Sequence, residues 1–74
     1  MLVAIMRRNR IPDLLDELGW TIQDLSHAAK MTYHHVHKIV RAESIPSGTT
    51  YETLIKLSTA LDVPIDDLEE VVEK

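Results

Sequence analysis

The chain has 74 residues, 45% hydrophobic and 27% charged, with no cysteine and a formal net charge of −4. That length gives one small domain, roughly 11 Å in radius of gyration if compact, too small for a deep cleft walled by a second domain. The composition is that of a folded globular chain. No apolar run approaches the roughly 20 residues that cross a bilayer, and the lack of cysteine excludes disulfides, thiolate catalysis and Cys-based zinc sites.

The opening Met1-Leu2-Val3-Ala4-Ile5-Met6 is apolar, but its basic residues follow it instead of preceding it, and it is too short for a secretory signal core. With no signal and no cysteine, the expected compartment is the cytoplasm. The segment reads as a short strand or an early helical turn, and Val and Ile lean toward strand. A lone strand needs a partner, which a second copy could supply across a dimer. Residues 1–9 are therefore expected to be an arm or short strand, and residues 10–74 the domain itself.

Five helices are expected to follow. In the first, near Ile11–Leu18, Pro12 suits the opening turn, Ile11, Leu14, Leu15 and Leu18 form a stripe, and Gly19 stops it. The second starts at Thr21 with Asp24 three residues on, a variant of the capping box, and Trp20 and Leu25 are spaced as a hydrophobic staple. Its buried face is Ile22, Leu25, Ser26 and Ala29. The third starts at Thr32, with Val36, Ile39 and Val40 inward and Tyr33, His34, His37, Lys38 and Arg41 outward. Only Lys30-Met31-Thr32 separates the second from the third, so the two cross steeply. A loop over Glu43–Thr50 leads to a fourth helix capped by Thr49 or Thr50, with a stripe of Leu54, Ile55, Leu57 and Leu61. Pro64 opens a fifth, with Asp66 and Asp67 in its first turn and Ile65, Leu68, Val71 and Val72 on its apolar side.

Charge divides the chain. Residues 1–41 hold six Lys/Arg against four acids, a net of +2, and residues 42–74 hold two against eight, a net of −6. All four histidines, His27, His34, His35 and His37, lie in the basic part. His34 and His37 are one helical turn apart and could share an ion, but no cysteine or nearby acid completes a shell, so no metal is expected. Imidazoles take up protons just below neutrality, which would add positive charge to this face.

The segment TIQDLSHAAKMTYHHVHKIV, Thr21–Val40, resembles the Cro/lambda-repressor-like helix-turn-helix domains of the Xre family. Leu25, Ser26, Ala29, Thr32, Val36 and Ile39 stand at the family's offsets, and Leu57, Ala60, Leu61 and Val63 resemble its fourth-helix signature. The resemblance extends over about residues 10–70. It implies an all-α, compact five-helix domain, with a short N-terminal strand as an addition. It also implies a sequence-specific double-stranded DNA-binding regulator, a repressor, whose helix over residues 33–41 enters the major groove. Carried over by position, Tyr33, His34 and Lys38 look like base readers, and Lys can donate to the O6 and N7 acceptors of guanine. Thr32 opens that helix, and His35, His37 and Arg41 look like phosphate partners. Gln23, with the free N–H groups at the start of the second helix, resembles a further phosphate contact, and Ser44, Ser47 and Thr49 are weaker ones.

Several positions depart from the family pattern. Lys30 stands where Gly is usual, and Ile22 where Gln is usual. Val40-Arg41-Ala42 replaces Glu-Asn-Gly, and Leu15 and Val40 occupy the places of a buried ion pair, a swap that is often neutral or stabilising. The family's two-fold dimers read half-sites about 34 Å apart on near-palindromic operators. Leu68, Val71 and Val72 are the candidate homodimer seam, or else a cap on the core. A different class of function is a protein-interaction module, such as an antitoxin-like partner, docking through an acidic C-terminal helix. Catalysis is not expected, since adjacent Asp66 and Asp67 point apart on a helix. Neither a cofactor nor a membrane contact is implied.

Overall fold

A computed structural model describes residues 5–73. In chain order it holds β1 (Ile5–Asn9), α1 (Ile11–Leu18), α2 (Ile22–Ala29), α3 (Tyr33–Arg41), α4 (Tyr51–Leu61), a 3-10 turn (Ile65–Leu68) and β2 (Glu69–Glu73). The strand or helical turn expected over Met1–Met6 lies in part outside the described residues, and a strand forms from Ile5 onward. Its partner comes from the same chain: β1 and β2 pair antiparallel, with Arg7 opposite Val71 and Arg8 opposite Glu70. Arg10 N donates to Leu68 O at 2.9 Å, while Asn9 N turns away to Glu43 O at 2.8 Å. The alternation of an antiparallel ladder then makes Arg8/Glu70 a hydrogen-bonded pair and directs the peptides of Arg7 and Val71 to the ribbon's outer edges.

The fifth expected helix is corrected to that turn and strand, so the described residues hold four α-helices. On a helix, Asp66, Asp67, Glu69, Glu70 and Glu73 would meet one another at three- and four-residue spacings, which is repulsive. As a strand the segment sets Glu70 across from Arg8, whose Nε donates to Glu70 Oε1 and whose Nη2 donates to Asp13 Oδ2 at 2.8 Å. The two acids, Glu70 first, hold the Arg8 guanidinium above the ordinary arginine pKa. Val71 and Val72 are β-branched and fit extended backbone.

The helix ends follow local chemistry. Gly19, Lys30 and Asp62 each close a helix in the left-handed region, at φ 69°, 56° and 57°. For Lys30 that conformation costs about 1 kcal/mol. α4 is capped by Thr50, whose Oγ1 accepts from Thr53 N at 3.2 Å. Thr49 instead closes the preceding turn, its N–H donating to Pro46 O at 2.9 Å. One core gathers Ile11, Leu14 and Leu15 of α1, Leu25 and Ala29 of α2, Val36, Ile39 and Val40 of α3, Leu57 and Leu61 of α4, and Leu68. The expected stripes hold except at their rims, where Leu18 and Ile55 are exposed. Among the described residues no helix is long and apolar enough to cross a membrane.

Candidate nucleic-acid interface

α3 turns Val36, Ile39 and Val40 inward. The helical repeat therefore sets His34, Lys38 and Arg41, at i, i+4 and i+7, on the opposite side as one stripe. All three are exposed. Tyr33 and His37 flank the stripe, with ring centroids 5.8 Å apart and planes tilted by 31°. His35 lies on the other flank, and its backbone N–H donates to the Thr32 hydroxyl at 3.4 Å, so Thr32 is first of all the cap of α3. No acidic residue lies on α3.

α2 precedes α3 with a complete capping box. Asp24 N donates to Thr21 Oγ1 at 3.1 Å, and Thr21 N donates to Asp24 Oδ2 at 2.9 Å. The first-turn N–H groups of Ile22 and Gln23 have no partner within a helix, and the Gln23 side chain is exposed. The same turn carries the Asp24 carboxylate, which weakens its pull on an anion. The left-handed Lys30 and a bond from Met31 N to Ser26 O, at 2.9 Å, turn the chain sharply into α3.

Two short helices crossing at a three-residue turn, the second with an exposed basic face, are the parts of a helix-turn-helix. Residues 10–74 match the family Cro/C1-type HTH DNA-binding domain. The chain belongs to that family. No curated protein and no solved structure matches it.

In this Cro/C1-type domain the sequence-predicted residues divide by element. Tyr33, His34, His35, His37, Lys38 and Arg41 come together on α3, with Thr32 at its start, while Gln23 stands on the first turn of α2. Ser44 and Ser47 are exposed in the loop and Thr49 is half-buried. Among the described residues no three His, Asp or Glu side chains converge as a metal site needs. The candidate seam is broken up: Leu68 is fully enclosed in the core, Val72 is half-buried, and Val71 is 65% exposed. Leu68 therefore has no surface to offer a second chain.

One residue escapes the sequence reading altogether. Asn9, at the end of β1, is buried. Its Nδ2 donates to Ile39 O at 2.8 Å and to Ala42 O at 3.1 Å, and its Oδ1 accepts from Ile11 N at 3.0 Å. The only sequence signal was an Asn two residues ahead of Ile11, the spacing at which an Asn side chain accepts from the backbone in an Asx-turn.

Proposed function

We propose that this Cro/C1-type domain is a sequence-specific regulator that inserts α3 into the major groove of double-stranded DNA and represses by occupying its site. The observation that carries this reading is the exposed His34, Lys38, Arg41 stripe on a helix without a single acid. His34 and Lys38 read base edges, with Tyr33 beside them at the start of the helix. Arg41, His35 and His37 hold phosphates, and Gln23 holds another from α2. The work is binding, not catalysis, and its place is the cytoplasm.

The proposed regulator acts as a homodimer on a near-palindromic operator, because a single module of this size buries little surface on DNA. Val71 and the outer edge of β2 are the surface it would use. The deciding experiment is selection from a random duplex library at two salt concentrations. Enrichment of a roughly two-fold symmetric motif supports the reading. Weak, salt-sensitive binding with no enrichment overturns it in favour of a protein partner, held by the acidic strand β2 and not by the acidic helix expected there.

A further inference from the structure

We propose that Asn9 is the positioning residue of the recognition helix, its carboxamide fixing the pose in which α3 meets DNA. The proposal rests on the DNA-binding reading above. A helix leaves its last carbonyls without partners inside the helix. α1, α2 and α4 deal with this through a left-handed closing residue, Gly19, Lys30 and Asp62. α3 does not, because its closing residue, Ala42, is extended at φ −76° and ψ 144°. Its end keeps a single long bond, from Ala42 N to Ile39 O at 3.4 Å, and further donors come from outside, from Asn9 Nδ2 to Ile39 O and to the carbonyl of the closing Ala42.

The same side chain closes a second helix end. Asn9 Oδ1 accepts from Ile11 N, in the opening turn of α1, and Asn9 N donates to Glu43 O, just beyond α3. One buried amide thus uses both kinds of group it possesses to tie the exit of α3 to the entry of α1. The rest of the core shared by α1 and α3 is apolar, including Leu15 and Val40. The hydrophobic effect that drives this packing is non-directional. Hydrogen bonds have direction, and these fall on Ile39, in the last turn of α3 that carries Lys38 and Arg41, and on Ala42, which closes it. Asn9 touches no DNA in this scheme, and it acts through the helix it holds.

The test uses Asn9→Ser. A serine hydroxyl can accept from the backbone two residues on, as Asn does but more weakly, so it keeps an acceptor for α1 while losing the reach to α3. Leu61→Val, which loosens the core within α4, is the control. Affinity per folded molecule is measured on the selected duplex and on a scrambled one. Asn9→Ser is expected to lose about tenfold or more on the selected duplex and less than about twofold on the scrambled one, whose binding is mostly phosphate contact. The control should keep the ratio of the two affinities. An unchanged ratio in Asn9→Ser, or an equal loss in the control, overturns the proposal. A parent protein that does not discriminate between the duplexes overturns the DNA reading instead. If Asn9→Ser does not fold, hydrogen exchange in the parent chain decides. The amides of Asn9 and Ala42 should slow by about tenfold when the selected duplex binds, and no slowing overturns the proposal.

Discussion

Lys38 and Arg41 share the last turn and a half of α3, yet they should fail differently when cut back. If Lys38 donates to a guanine, Lys38→Ala costs about 1–3 kcal/mol on the preferred duplex and relaxes the preference at one base position. Arg41→Ala should weaken all duplexes alike and reduce the slope of log affinity against log salt by about 1. Titrating both variants across a panel of single-base changes separates the two, and identical profiles would refute the division of roles. The raised pKa of Arg8 contributes stability that is present below the unfolded-state value and is lost only as pH rises past the folded one, far above neutrality. Lys30 makes a separate prediction, since it holds φ 56° where glycine has no strain. Lys30→Gly should raise stability in urea by about 0.5–1 kcal/mol, and a loss of stability would show that the lysine stem packs usefully. The exposed residues of α3 were legible in the sequence because they are the complement of Val36, Ile39 and Val40. Asn9 was not, because its partners are backbone carbonyls some thirty residues away, and carbonyls leave no mark in a sequence.

Among the elements, helices that carry their own start signals were readable and the last segment was not. Thr21 with Asp24, and Thr32 ahead of Val36, act within four residues, so local chemistry decides them. The choice between Thr49 and Thr50 turned on Pro46, whose carbonyl takes the Thr49 N–H into the loop's own turn. The tail over residues 65–73 has apolar spacing that fits a helix, and only pairing with β1 makes a strand better. That pairing is a long-range fact, joining Arg8 to Glu70 across the length of the chain. The ladder parity makes it testable. Val72 sits opposite Met6 in a hydrogen-bonded pair, whereas the Val71 peptide faces outward. Proline removes a backbone donor, so Val72→Pro should break the ribbon, while Val71→Pro should leave most of it standing. Urea midpoints that fall equally in both variants would mean that the assigned parity is wrong.

For the molecule as a whole, the question is how two copies would meet, and charge gives the answer a measurable sign. A two-fold axis through the outer edge of β2 brings Val71 near Val71 of the second copy, but it also brings together two strands that each carry Glu69, Glu70 and Glu73. Glu70 is partly neutralised by Arg8, and Glu69 Oε2 accepts from Ile45 N at 3.1 Å, yet the paired edges remain acidic. Screening such repulsion favours association, so the free protein should dimerise more strongly as salt rises from about 50 mM to about 500 mM. DNA binding should respond in the opposite sense, because every phosphate contact releases counterions that high salt opposes. Sedimentation equilibrium and duplex titration over the same salt series can therefore be read against each other. Val71→Asp should abolish the dimer and leave the fold intact, since that side chain is 65% exposed. Leu68→Ala should do something else: it opens a cavity in the core and costs about 2–5 kcal/mol of stability, with any loss of dimer following from unfolding. A protein that stays monomeric at every salt concentration, or a dimer that weakens as salt rises, would remove β2 as the seam and leave the operator itself to bring two copies together.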